Sequence, residues 1–300
     1  MSWQWELLAG PDTITEGPAW DGRGLFYTAI ASSEIRRFDP GINAATPVYR
    51  NTNAANGLFF DPAGSLYSCE GGGRAVVVYN TAGNRTVLAD RFEGNRLNSP
   101  NDVVVESNGR VWFTDPRYGD DHSDRELDHD SVYCLTPPAS TGADWTIERL
   151  TFDTTRPNGL LLSFDERTLF VAQSNHMPSE PRQLRAYPIQ EDGTLGSYRL
   201  VYDFGAYRGI DGMCFDTDEN IVATCGTEGI GPGGRIAIFS REGELIEEHL
   251  LPAGSPTNCV YGGENLDVLY VTTLTGHLYR VTGTGRVGAL QPPAVSPYIG

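Results

Sequence analysis

One short pattern, a polar residue followed by an apolar run, recurs six times along this chain of 300 residues. The instances are Glu16-Gly17-Pro18-Ala19-Trp20, Asn56-Gly57-Leu58-Phe59-Phe60, Asn101-Asp102-Val103-Val104-Val105, Asn158-Gly159-Leu160-Leu161-Leu162, Asp211-Gly212-Met213-Cys214-Phe215 and Asn258-Cys259-Val260-Tyr261. Successive polar residues lie 40, 45, 57, 53 and 47 positions apart. After each run comes a turn and a second β-type run, as in Asp61-Pro62-Ala63-Gly64 leading to Ser65-Leu66-Tyr67-Ser68. Turn residues between two such runs specify a hairpin. A third run follows, such as Ala75-Val76-Val77-Val78-Tyr79, and most repeats add a fourth, such as Arg85-Thr86-Val87-Leu88.

Four short strands per unit, with almost no helical periodicity, match the blade of a propeller. The sequence therefore predicts an all-β fold, a six-bladed β-propeller with four-stranded blades, as one domain over residues 1–300 with blades starting near 16, 56, 101, 158, 211 and 258. The sixth repeat lacks its own fourth strand, while residues 5–8 stand just ahead of Glu16. The N-terminal strand is thus expected to close the ring by completing the last blade, leaving the Gly- and Pro-rich stretch 283–300 as a tail. A two-sheet sandwich gives no reason for one motif to repeat at nearly even spacing.

Composition narrows the partners. A formal net charge of −17 repels phosphate backbones and anionic lipid, so no nucleic acid and no membrane is expected as a partner. Acidity also suits a cation site, although it serves solubility equally well. The N-terminus, Met1-Ser2-Trp3-Gln4-Trp5-Glu6, has no basic start followed by an apolar run, and no stretch approaches the ~18 apolar residues of a span, so a cytoplasmic location is expected. Five scattered cysteines without a Cys-x-x-Cys pair suit reduced, buried thiols.

Strand parity carries the fold toward a site. If each blade begins with its innermost strand, Glu16, Asn56, Asn101, Asn158, Asp211 and Asn258 form a ring at one end of the channel. Loops between second and third strands return to that same face, which places Arg117, Tyr118, His122, Asn175 and His176 around the mouth as candidate substrate contacts or as solvated loop residues. Two carboxylates and four amides, without Cys or His, are hard-cation chemistry; calcium accepts such oxygens, whereas zinc and copper favour His or Cys. Asn-Gly and Asp-Gly are also common turn formers, so Asn56 and Asn258 can be turn chemistry alone. Glu16 is a poor turn former, which makes a turn a weaker account of it.

Leu97-Asn98-Ser99-Pro100-Asn101-Asp102-Val103-Val104-Val105, then Trp112-Phe113-Thr114-Asp115-Pro116-Arg117-Tyr118-Gly119, resemble bacterial gluconolactonases, within the senescence-marker-protein, gluconolactonase and luciferin-regenerating-enzyme family. Glu16-Gly17-Pro18, Arg156-Pro157-Asn158-Gly159-Leu160 and Asp211-Gly212-Met213 look like further signatures of that family. The resemblance implies one divalent metal, usually calcium, with zinc, manganese or magnesium as alternatives. Its ligands would be Glu16, Asn158 and Asp211, with Asn101 at the metal or the substrate. It also implies hydrolysis of sugar lactones or related esters. One departure stands out: animal members carry a substrate-binding Arg two residues before the earlier Asn, and here that place is Ser99. Arg96 or Arg117 is a possible substitute.

The expected reaction is metal-assisted opening of a lactone, with Asp211 as general base for the attacking water and Asn101, Arg117, Tyr118 and His176 toward the substrate. Alternatives are a phosphotriesterase using the same ion, and a non-catalytic propeller that binds a partner protein. His122 and His129 with Asp120, Asp121, Asp124, Asp128 and Asp130 suggest either a second metal site or a solvated acidic loop. Neither Gly71-Gly72-Gly73 nor Gly229-Ile230-Gly231-Pro232-Gly233-Gly234 leads into a helix or ends as a phosphate loop does, and there is no Gly-x-Ser-x-Gly elbow.

Overall fold

Six antiparallel blade sheets, four of them built only from strands consecutive in sequence, are arranged so that the inner strands contact one another in a closed ring. The computed structural model describes residues 2–118, 121–140, 143–177 and 179–290. The inner strands are Thr15–Trp20, Ala55–Phe60, Val103–Val105, Pro157–Leu162, Ile210–Asp216 and Pro256–Gly262. Blade two shows the common build: Ala55–Phe60 pairs with Leu66–Glu70, then Ala75–Tyr79, then the exposed Arg85–Ala89. This is the predicted six-bladed propeller. No helix among the described residues is long and apolar enough to cross a membrane.

Blade six takes its outer strand from the other end of the chain. Gln4–Ala9 pairs with Leu278–Thr282, and Arg280 donates to Glu6 at 2.7 Å across that seam. Trp5 meets Tyr279 edge-on at 5.8 Å, so the closure rests on apolar contact as well as on the ladder. The stretch expected as a tail behaves differently in part: Gly288–Ala289 pairs with Asp216 and Phe215 as a fifth strand of blade five. Tyr261 explains the small residue there, since a Cβ on Gly288 would lie 2.0 Å from its Cβ. Residues 291–300 lie outside the described residues.

Each of six buried apolar clusters lies between two neighbouring blades. The strand alternation supplies this, because successive residues of a central strand face opposite sides of its sheet and so opposite neighbours. Phe170 of blade four meets Phe215 of blade five at 5.8 Å, and Trp20 of blade one stacks on Tyr270 of blade six at 5.8 Å. All five cysteines are buried and free, as expected for thiols that serve as small apolar groups.

A bulge positions the channel residues. In blade five the register steps from Ile210↔Cys225 to Met213↔Ala223, so one strand carries an extra residue, and blades one, two, four and six carry a matching irregularity. Such a bulge re-aims a side chain, here Asp211 toward the channel. The glycine that follows is imposed by packing. A Cβ on Gly17 would lie 2.1 Å from Asn56 O, one on Gly57 2.7 Å from Asn101 O, and one on Gly159 2.4 Å from Asp211 O. Each of these glycines lets its blade close against the next blade's ring residue, so the Asn-Gly and Asp-Gly pairs are channel-packing elements.

Register also corrects the ring. Pro256↔Thr273 followed by Cys259↔Val271 puts Thr257, not Asn258, at the position that Asp211 holds in blade five. Asn258 stands one residue deeper, where blades one, two, four and five have glycine; Asp102 does the same in blade three. Both face a smaller cavity of about 140 Å³ at the other end of the channel, walled by apolar residues such as Trp20, Phe60 and Met213.

Candidate functional site

Five of the six predicted ring residues, Glu16, Asn56, Asn101, Asn158 and Asp211, line one cavity of about 430 Å³ at the channel mouth. That volume falls within the range of small-molecule sites. Tyr118, Asn175 and His176 join them from the loops, as parity requires. Arg117 and His122 do not line the cavity: Arg117 instead donates to Asp124 at 2.5 Å, and His122 stands on an exposed loop. Arg96 is tied to Glu126, so neither arginine proposed for the Ser99 place reaches the mouth. Ser99 itself donates to Gly71 O at 3.3 Å.

The acidic loop sorts into ion pairs. Asp124 meets Arg117, Asp128 meets Arg149 at 2.6 Å and Asp130 meets Arg125 at 2.8 Å. Asp120 lies outside the described residues, and among those described no three His, Cys, Asp or Glu side chains gather as a metal cluster.

At the mouth the two carboxylates sit in a dense polar network. Asn158 Nδ2 donates to Asp211 Oδ1 at 2.5 Å and to Tyr118 Oη at 2.8 Å. Arg208 binds Asp211 Oδ2 directly, and its Nη1 donates to Gly226 O at 2.8 Å and Pro256 O at 2.9 Å. One guanidinium thus ties Asp211 to the blade five loop and to the start of blade six. Glu16 Oε2 accepts from its own neighbour, Gly17 N, at 2.9 Å. Arg156 lies over the Tyr118 ring, 5.5 Å from its centre, and its Nη1 lies 2.5 and 2.9 Å from the two ring nitrogens of His176.

Burial without enough positive charge dominates the electrostatics. Desolvation, then repulsion from Asp211, pushes the Glu16 carboxyl well above its usual range. Asp211 is also raised by burial, but Arg208 and Asn158 oppose that rise. Desolvation of its hydroxyl end, then Asp211, raises the Tyr118 phenol above its usual range, although the residue as a whole is partly exposed. Below them, burial raises Asp102 to about 7. Asp115 is likewise raised to about 7 by burial while it accepts from the Asn98 and Ser99 amides, both at 2.7 Å, and so buttresses the turn that delivers Asn101.

The donor set fits a hard divalent cation. Two buried carboxylates and the amides of Asn158, Asn101 and Asn56 share the cavity; among the described residues no cysteine lines it, and its one histidine is engaged by Arg156. Calcium, magnesium or manganese suits that oxygen set better than zinc. Arg208 and Arg182 also line the cavity, although no sequence motif marks either. The available signal was an arginine three residues before Asp211, in the loop leading to the same mouth.

Fold and site together define a six-bladed propeller with an oxygen-lined small-molecule cavity at one channel mouth. Residues 14–275 match the SMP-30/Gluconolactonase/LRE-like region, and the chain belongs to that family. A gluconolactonase of Zymomonas mobilis is 29% identical over 287 residues, spanning 86% of this chain and 75% of that protein. The solved structure of XC5397, a gluconolactonase from Xanthomonas campestris, superposes with a TM-score of 0.79 at 29% identity, covering 93% of this chain and 89% of its own. A calcium-binding protein, regucalcin, from Agrobacterium tumefaciens shares the fold, with a TM-score of 0.75 at 18% identity over 97% of each chain.

Proposed function

We propose that this chain is a lactonase that opens sugar lactones with one divalent cation, calcium first, held by Glu16, Asn158 and Asp211. The observation that carries the reading is the pairing of two buried carboxylates with amide oxygens around a cavity of substrate size. Family membership supports the reaction class, and the gluconolactonases from Zymomonas and Xanthomonas support a sugar lactone. When bound, the cation supplies Lewis-acid polarisation of the lactone carbonyl.

The side chains divide the remaining work. Asp211 takes the proton of the attacking water on a carboxylate oxygen. Each of its oxygens has a second lone pair beyond the one given to Asn158 or Arg208. Those two partners oppose the rise that burial imposes on the carboxyl and fix its direction, as a general base requires. Water oxygen bonds to the carbonyl carbon, the ring C–O bond breaks, and the proton passes from Asp211 to the leaving ring oxygen. Asn101 orients the substrate or joins the cation, and Tyr118 offers its hydroxyl as a donor beside Asn158. Tyr118 and His176 reach the cavity from separate loops.

The test is an aldonolactone screen on chelated protein with calcium, magnesium, manganese and zinc added back in turn. Turnover should return with a hard cation and be lost in Asp211→Asn at unchanged far-UV circular dichroism. Near-normal hydrolysis by that variant would exclude Asp211 as base.

A further inference from the structure

We propose that the cavity wall contributed by blades one and six is a specificity surface for an apolar part of the substrate, so that the preferred lactone lacks one hydroxyl of a full aldonolactone. The proposal rests on the lactonase reading above and adds the class of substituent. The wall consists of Ile14, Ile30 and Leu274. Ile14 and Leu274 are 38% and 40% exposed, an uncommon display of aliphatic surface inside a cavity whose other residues are mostly polar.

Its position in the fold is specific. Ile30 follows the residue paired with Thr15, and Leu274 follows the residue paired with Pro256, so the two hold one register position in adjacent blades. At that position blades two, four and five carry Gly71, Ser174 and Gly226. The three aliphatic groups are fastened side by side: Ile30 N donates to Ile14 O at 3.0 Å, and Thr15 Oγ1 donates to Thr273 O at 3.2 Å while accepting from Thr273 N at 3.1 Å. Leu274 N donates to Ser255 O at 2.9 Å. The amides of Ile30 and Leu274 are therefore committed, and the three side chains offer no polar group.

Apart from Glu16, which shares blade one with the wall, the polar side chains occupy the opposite arc, from Asn56 in blade two to Arg208 before blade five. A substrate hydroxyl turned toward that arc finds amides, a phenol or an imidazole. One turned toward the aliphatic wall gives up water without a replacement, whereas a methyl or methylene there buries apolar surface. Discrimination of this kind between a hydroxylated and a deoxygenated carbon amounts to about tenfold in kcat/KM.

The experiment measures kcat/KM for glucono-1,5-lactone and its 2-deoxy, 3-deoxy and 6-deoxy analogues on the full chain with calcium present. One deoxy analogue should exceed the parent by about tenfold, mainly through KM. That excess should shrink toward one in Ile30→Asn and in Leu274→Gln, while Ile30→Val retains it. A parent lactone that outperforms every deoxy analogue would overturn the proposal, as would a preference untouched by both polar substitutions. If glucono-1,5-lactone is opened without any deoxy preference, only the wall assignment fails; if none of the four is opened, the lactonase reading fails with it.

Discussion

Replacing Arg208 with methionine gives a pH-dependent prediction that separates electrostatic support of Asp211 from simple loop anchoring. Among the described residues Arg208 is the one cation bound directly to Asp211, and it also holds two backbone carbonyls through Nη1. Removing one partner of a buried pair costs about 3–5 kcal/mol when the remaining charge cannot escape. Asp211 can escape by taking a proton, since burial already raises it and Arg208 is the first of the two groups opposing that rise. A carboxyl whose folded pKa lies above its unfolded value near about 3.9 binds more protons folded than unfolded, so stability falls as pH rises between the two values. Each pH unit in that window adds about 1.4 kcal/mol to the cost, until the folded group ionises.

Urea unfolding in chelator should therefore show Arg208→Met losing about 1–2 kcal/mol at pH 5, the share expected from lost hydrogen bonds, and about 3–5 kcal/mol at pH 8. Calcium at pH 8 should recover part of the difference, because a dication beside Asp211 replaces the missing positive charge. An equal loss at both pH values, unaffected by calcium, would mean that Arg208 acts only by tying the blade five loop to blade six.

One substitution and one truncation test the scaffold. Gly57→Ala should destabilise the chain by several kcal/mol, on the order of the 1–3 kcal/mol of overpacking or more, because its Cβ would lie 2.4 Å from Asp102 Oδ1 and 2.7 Å from Asn101 O; a thermal melt within a degree of the parent would refute the packing role. Deleting residues 2–9 removes the outer strand of blade six and exposes Tyr279 and the Leu278–Thr282 edge. The truncated chain should melt lower and associate on size-exclusion chromatography, and an unchanged monomeric or oligomeric profile with unchanged melting would show that the seam is dispensable.

The fold was legible because a propeller repeats its own instructions. Glu16, Asn56, Asn101, Asn158 and Asp211 share a place in five blades, and the N-terminal closure followed from the missing fourth strand of the sixth repeat. Asn258 is chemically like the other ring residues, but the ladder register gives that position to Thr257, whose side chain does not announce it. The return of Gly288–Ala289 to blade five was hidden, since two residues do not make a readable strand. Loop residues were the least legible. Arg117 and Tyr118 are neighbours, yet one pairs with Asp124 and the other bonds Asn158, and only the path of the loop decides between them. Arg208 was missed because its role depends on a contact with Asp211 that no spacing rule names.

Whether Glu16, Asn158 and Asp211 together hold a divalent cation at the channel mouth is open to direct observation. Anomalous diffraction from crystals of the chain soaked with manganese locates the ion directly. One dominant peak should lie within bonding distance of oxygens from all three residues and be lost in Glu16→Gln crystals. A peak elsewhere on the molecule, or none at the mouth under saturating manganese, would contradict it.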